Sequence, residues 1–510
     1  MTRTERLAPW IAGAIHVLIT WWVWGATLDP VPVVHDEAAY VLQAQLIAHG
    51  QLAGPAPPLP EFFEQFHVLV TPVLAPKYPL GQGLVLAPGV LLGLPAVIPL
   101  LLAWLSGALV YVLARRHGGT AAAIFATTAW TMAPMVVRFS PSYISQPTTE
   151  ALWLLGFWVL DRWWRAPSRR DLLLLAVITG FGVIVRPLTM LAFAMPVGLG
   201  VVYRLWQVRD AWLDLPLAVG AGLLPLVLLV AQNQVATGHW DTMPYGVYTR
   251  AYMPYDRYGF GLDSTAGTRA LPPDQALFRR THMPQHATHL VSRLPAIVLE
   301  RVALIGDEMR PSSTIFCLIL AAIGALAAWP VLLLPIAALV ALFILHLPFV
   351  HTTTWVAYYL EGTPVVAWAL ASGLRAVIAR LASAASIRDD RRLVVTERSL
   401  VGASVLWAAS GAHILPTWHD IKRDVRSEQV AVREAERKLP TPAIVFVRYM
   451  PRHAPDISLI VNAPDAESAP LWTAYDRGED NQRLMRVAPE RQAFLFDEAT
   501  LTFTALPPAR

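Results

Sequence analysis

Long apolar blocks decide what this chain can fold into. WIAGAIHVLITWWVWGATL, AVIPLLLAWLSGALVYVLA, DLLLLAVITGFGVIV and LPLAVGAGLLPLVLLVA carry at most one charge each and run for roughly 15–20 residues, as the hydrocarbon core of a bilayer requires. Only 15% of the 510 residues are charged and 55% are apolar, against about 25% charged in an average soluble domain. Mean hydropathy is +0.46. The pattern argues against a soluble globular fold and for an α-helical polytopic membrane protein. The 19 Trp suit interfacial belts. A net charge of +4 spread over many loops forms no stripe for nucleic acid. The single Cys317 allows no intrachain disulfide and says nothing of redox compartment.

Hydropathy and length predict about eleven spans, near 9–28, 95–114, 119–137, 147–164, 171–186, 189–205, 212–232, 312–329, 331–349, 353–374 and 399–416. Pro187 marks a tight turn between two of them. The first block is longer than the apolar part of a signal peptide and no A-x-A-like site follows it, so it reads as a retained anchor. Lys and Arg concentrate in MTRTER, ARRHGG, DRWWRAPSRRD, YRLWQVRD and RAVIARLASAASIRDDRR. The bias puts these segments and the N-terminus in the cytoplasm. The segments 29–81, 233–311 and 417–510 then lie outside, in a protein expected in the inner (plasma) membrane. Residues 1–416 are expected to form the membrane domain with its outer loops. From 417 the composition turns polar and charged, with AIVFVRY and ISLIVNAP reading as buried strands. AESAPLWTAYDRGEDNQRLMRVAPERQAFLFD reads as helix or loop, then helix, then strand. A small C-terminal α/β domain follows from that alternation.

The first outer loop carries HDEAAYVLQAQLIAHG, with helical spacing. Ala38, Val41, Leu42, Gln45 and Leu46 fall near one face, and Asp36, Tyr40 and Gln43 on another. Such a helix is expected along the membrane surface, acids first. Asp36 could simply cap it, with Glu37 complementing its dipole. The loop returns through APKYPLGQGLVLAP, where Lys77 reads either as an interfacial anchor or as a holder of an anionic headgroup. An acid pair and a fixed cation on one rim suit chemistry on a phosphorylated lipid: the acid takes a proton from an acceptor and the cation stabilises the departing phosphate.

One span, an outer loop with DEAAY, then KYPLGQGLVLAP entering the second span, resembles the GT-C superfamily of integral-membrane glycosyltransferases. The likeness is to glycosyltransferase family 39 and its relatives, the protein O-mannosyltransferases and lipid A aminoarabinose transferases. It is good over about the first 230 residues and looser beyond, where HTTTWVAYYLEGTPVVAWALASG resembles a late family element. The resemblance implies inverting transfer from a polyprenyl-phosphate sugar, with Asp36 as general base, Glu37 as the neighbouring acid and Lys77 on the donor phosphate. It implies no nucleotide sugar and usually no required metal. The chain departs from the family in a longer first loop, which contains GPAPPLPEFFEQFHVLV, and the acceptor stays open: lipid, glycan or protein.

Further candidates follow from position. Tyr40 and Tyr78 flank the two motifs and are candidates for substrate binding. Arg138 and Arg186 stand near outer ends of spans, either snorkelling or giving a second phosphate contact. His351, Tyr358, Tyr359 and Glu361 cluster at the top of a late span, with Glu361 about two turns inside it. An intramembrane acid is a functional candidate by default. His35, Asp36, Glu37 and His67 offer imidazole and carboxylate to a divalent metal, but no tight ligand motif is present, so no metal is expected to be required. The aromatics of PYGVYTRAYMPYDRYGFG suit loop packing or sugar stacking. A multi-span transporter or lipid flippase is the competing class. It is disfavoured because no internal repeat is visible.

Overall fold

The computed structural model describes residues 3–28, 30–309, 314–351 and 355–509. Six of its helices are long and apolar enough to cross a membrane: Glu5–Val23, Val97–Thr131, Pro187–Gln207, Ala211–Thr237, Ala357–Ala384 and Asp389–Glu436. Shorter apolar helices cover Gly81–Leu91, Thr314–Ala327 and Leu333–His346. The protein is an integral membrane protein. The expected spans fall on helices with shifted bounds. Two of them, 95–114 and 119–137, lie on the single element Val97–Thr131, broken at Gly119, whose φ of +83° only glycine adopts readily. The turn expected at Pro187 is there: one helix ends at Val185, Arg186 is extended, and Pro187 opens the next.

The chain forms two compact units. The first comprises 1–27, 96–226 and 292–422; the second comprises 28–95, 227–291 and 423–510. In the first unit, basic connections meet one another through ion pairs. Arg115 pairs with Glu5 at 3.2 Å, Arg116 with Asp161 at 2.8 Å, and Arg162 with Asp171 at 2.9 Å. These gather the start of the first helix, the break at Gly119, and the turn between helices Gln146–Arg165 and Arg169–Val185 at one end of the unit. Its helices approach closely through small residues, as helix pairs in lipid do. A Cβ on Gly324 would lie 1.8 Å from the carbonyl oxygen of Ala369, and one on Gly373 would lie 1.9 Å from that of Leu320. No larger residue fits that crossing.

The second unit joins the two expected outer loops to the tail. Its sheet has strands β1 (Ala443–Arg448), β2 (Leu471–Tyr475), β3 (Gln492–Asp497) and β4 (Thr502–Ala505), ordered β2-β1-β3-β4. The first three run parallel and β4 is antiparallel to β3. Both faces are covered, as parallel sheets require. Along β1 the side chains alternate: Ile444 and Phe446 join Phe62, Phe63, Trp472 and Leu484 on one face, and Val445 and Val447 join Val432, Ile460 and Phe494 on the other. Two expectations for the tail fail here. LWTAY is a strand. ISLIVNAP is extended but joins no ladder, because the Asn462 side chain stands in for a strand: Asn462 Nδ2 donates to Thr473 O at 2.8 Å and Thr473 N donates to Asn462 Oδ1 at 2.9 Å.

Candidate active site

Helix His35–Ala48 has Val34 as its N-cap, with no side-chain cap. Asp36 therefore does not cap it. Glu37 does the tying instead: buried, it accepts the Val33 N–H at 2.7 Å through Oε2 and closes the helix entrance. The helix is buried on more than one side: His35, Glu37, Ala39, Tyr40, Leu42, Gln43, Ala44 and Leu46 are all buried. Ala39, Leu42 and Leu46 pack on Val68, Val70 and Leu74 of the same loop.

The stripe Asp36, Tyr40, Gln43 holds a single residue, Tyr78. Its hydroxyl donates to Asp36 Oδ1. Its ring stacks on Tyr40 with centroids 4.6 Å apart. Its carbonyl accepts from Gln43 Nε2 at 2.9 Å and from Gln232 Nε2 at 2.8 Å. Gly83 lets Gln43 in, since a Cβ there would meet the Gln43 side chain at 2.6 Å. The other oxygen of Asp36 faces two imidazoles: Oδ2 lies 3.0 Å from His35 Nδ1 and 3.6 Å from His67 Nε2. Burial alone would raise the Asp36 carboxyl, but His67 and His35 hold it well below its usual range. Burial, with Lys77 and His35 adding to it, drives His67 down to about 3.

His67 and Lys77 are brought together by a hairpin. Strand Val68–Leu69 pairs antiparallel with Val73–Pro76, and just beyond it Lys77 N donates to His67 O at 2.8 Å. His67 sits at φ +61°, a left-handed conformation that His tolerates better than most residues. The Lys77 ammonium lies among three rings, 5.1 Å from Tyr78, 4.8 Å from Tyr245 and 5.1 Å from Tyr248. Lys77 is buried; among the described residues no acid is in direct ion-pair contact with it, and Asp256 and Asp36 act on it from farther away. Burial lowers its pKa and raises that of Tyr78. A desolvated cation framed by ring faces is a site for an anion. Tyr245 and Tyr248 were missed as individual site residues. Their signal was the i, i+3 spacing in PYGVY, which helix Pro244–Tyr252 turns to one side. Of the remaining aromatics, Tyr252 and Tyr255 join Phe66 and Leu69 in a buried cluster, and Tyr258 is exposed.

The other candidates lie in the first unit. Arg186 Nε is 3.6 Å from Glu361 Oε1, and its guanidinium lies 5.8 Å from the Tyr358 ring. Glu361, fully buried, also accepts from Thr149. It occupies the turn Ala357–Gly362 that opens helix Thr363–Ala384. His351 lies 5.3 Å from the Tyr358 ring and 3.3 Å, through Nε2, from the Tyr359 hydroxyl. Thr352 to Thr354 of the late motif lie outside the described residues. Arg138 stands apart from this group: it pairs with Glu308 at 3.0 Å and stacks 4.9 Å from Trp418.

No protein-family model matches the sequence, and no curated protein matches it. Solved structures do match in fold. ArnT from Cupriavidus metallidurans, in a crystal structure bound to undecaprenyl phosphate, aligns with a TM-score of 0.55 at 14% identity, over 97% of this chain and 93% of that one. The apo state of the same protein aligns with a TM-score of 0.54 at 13% identity, over 94% and 92%. The chain shares its fold with that membrane protein.

Proposed function

We propose that this protein is a glycosyltransferase that moves a sugar from a polyprenyl-phosphate donor to an acceptor on the extracytoplasmic side of the membrane. The observation that carries the reading is the buried Lys77 ammonium beside the ring of Tyr78, whose hydroxyl donates to the Asp36 carboxylate. Lys77 holds the donor phosphate and stabilises its charge as the sugar–oxygen bond breaks. Asp36 accepts the hydrogen bond of the acceptor and finally its proton, as attack from the opposite face inverts the anomeric carbon. Glu37 fixes the helix start that presents Asp36. The fold supports the donor class, since it is shared with a protein crystallised with undecaprenyl phosphate. The charges of Arg186 and Arg138 are met by Glu361 and Glu308, so the phosphate is assigned to Lys77.

The test is to incubate purified protein with defined polyprenyl-phosphate sugars and follow release of the lipid phosphate. Asp36→Asn should lower turnover by about 10²–10⁴-fold, the usual share of a general base, and leave donor binding intact. Near-normal transfer by that variant sinks the catalytic assignment. Transport of the intact donor without transfer would move the protein to the flippase class.

A further inference from the structure

The carboxylate assigned as base has an oxygen turned away from Tyr78, toward two histidines, and that side of the residue is not explained by sugar transfer. We propose that His35, Asp36 and His67 form a binding site for a divalent cation of the zinc class. Their ligand atoms lie within 4.8 Å of one another. In a tetrahedral site with bonds of about 2.0–2.1 Å, adjacent ligand atoms stand roughly 3.3 Å apart. The two distances to Asp36 Oδ2, 3.0 Å from His35 Nδ1 and 3.6 Å from His67 Nε2, bracket that value. The widest spacing in the cluster, up to 4.8 Å, has to close by about 1.5 Å to reach the tetrahedral value, through rotation of the imidazoles.

Three features separate this cluster from an ordinary histidine–carboxylate contact. Both histidines are at least nine-tenths buried, at 5% and 4% exposure. Among the described residues, neither His35 Nε2 nor His67 Nδ1 has a hydrogen-bond partner. Finally, the rings are held before any ion arrives. His35 stacks on Phe66 with centroids 4.4 Å apart and meets Phe278 edge-on at 5.3 Å. His67 is wedged against Tyr78 and Tyr248. Two imidazoles and one carboxylate suit zinc, cobalt or manganese better than magnesium or calcium, which prefer all-oxygen sets. Three protein ligands leave a fourth position open for water or a substrate atom, the pattern of catalytic and not structural zinc. Within the transferase reading, an ion there would acidify the acceptor group beside Asp36.

The test uses the full-length protein in detergent, stripped with chelator and dialysed against Zn²⁺, with no sugar donor present. Metal content is then counted by mass spectrometry, and the spectrum of the Co²⁺-loaded protein is recorded. One ion per chain and a tetrahedral Co²⁺ band are expected. His35→Gln and His67→Asn should each weaken Zn²⁺ binding by on the order of 100-fold, since even outer-sphere partners of a metal are worth up to that much. Asn is chosen at 67 because it also tolerates positive φ, and unchanged thermal midpoints show that both variants fold. Absence of stoichiometric metal in the unmodified protein overturns the proposal. So does metal that survives in both variants. Because no donor is present, these results stand whether or not the protein transfers sugar.

Discussion

Lys77 is the residue whose two sequence readings the structure separates most sharply. An anchor that snorkels keeps its ammonium in water. Here the ammonium is buried among Tyr78, Tyr245 and Tyr248 with no acid in direct contact among the described residues, and burying a charge without a contacting counter-ion costs stability. A site kept for an anion carries that cost in the unliganded protein. Lys77→Met, which keeps the stem packed against the rings, should therefore raise the thermal midpoint. It should also weaken binding of a polyprenyl phosphate by roughly 10–100-fold, the value of a hydrogen bond to a charged group. Lys77→Arg should recover part of the affinity, because Arg brings charge in a different shape. A Met variant with unchanged phosphate binding would return Lys77 to a packing role. At this scale much was legible. The i, i+4, i+7 stripe correctly put Asp36, Tyr40 and Gln43 on one side, because helix geometry alone decides it. That Tyr78 would occupy the stripe was not legible, since the contact spans 42 residues of sequence.

Among the elements, the first long loop does the most to build the site. GPAPPLPEFFEQFHVLV places Phe62 and Phe63 on the tail sheet and starts the hairpin that sets His67 opposite Lys77. Three chain segments meet at its centre. Tyr475 of β2 donates to Asp274 Oδ1 at 2.9 Å and Gln275 Nε2 donates to Glu64 O at 2.6 Å. Asp274 opens helix Pro273–Thr288 and is fully buried, and burial pushes its carboxyl up to about 6 from 3.8. Tyr475, Tyr449 and His453 are the groups that face it and partly offset the rise. The sign follows from linkage. Between pH 3.8 and 6 the folded state holds a proton on this carboxyl that the unfolded chain has released, so its contribution to stability falls as pH rises through that window. Asp274→Asn removes the group that titrates. Its thermal midpoint, measured from about pH 4 to pH 7, should fall less than that of the unmodified protein. Parallel curves would assign the pH dependence elsewhere. None of this junction could be read from the sequence. Span positions could, because a bilayer demands a minimum apolar length whatever the tertiary fold. Strand LWTAY and the unpaired ISLIVNAP were misread because both are short apolar runs, and their state is decided by the partner: a β1 ladder for one, the Asn462 side chain for the other.

At the scale of the molecule, the decisive question is sidedness. The excess of Lys and Arg in short loops predicts that 29–81, 233–311 and 417–510 share the outer side. Two structural facts bear on that reading. The second compact unit is assembled from 28–95, 227–291 and 423–510, nearly the same three segments. Segments that fold on one another cannot be divided by a bilayer, because loop backbone has no hydrogen-bond partners in hydrocarbon. In the first unit, the ion pairs Arg115–Glu5, Arg116–Asp161 and Arg162–Asp171 gather the basic connections at one end, as a common cytoplasmic face requires. The prediction can be read directly. In a Cys317→Ser background, which removes the chain's single thiol, a cysteine is placed at Ser264 or at Ser468, both exposed. A membrane-impermeant maleimide added to intact cells, with the outer membrane opened where there is one, should label both positions. A cysteine at Ser383, on the far side of helix Thr363–Ala384 from Glu361, should react only after the inner membrane is permeabilised. Labelling of one outer site but not the other would break the shared side. Inversion of the whole pattern would put the Asp36–Lys77 site in the cytoplasm, where a polyprenyl-phosphate sugar presented to the outer leaflet could not reach it.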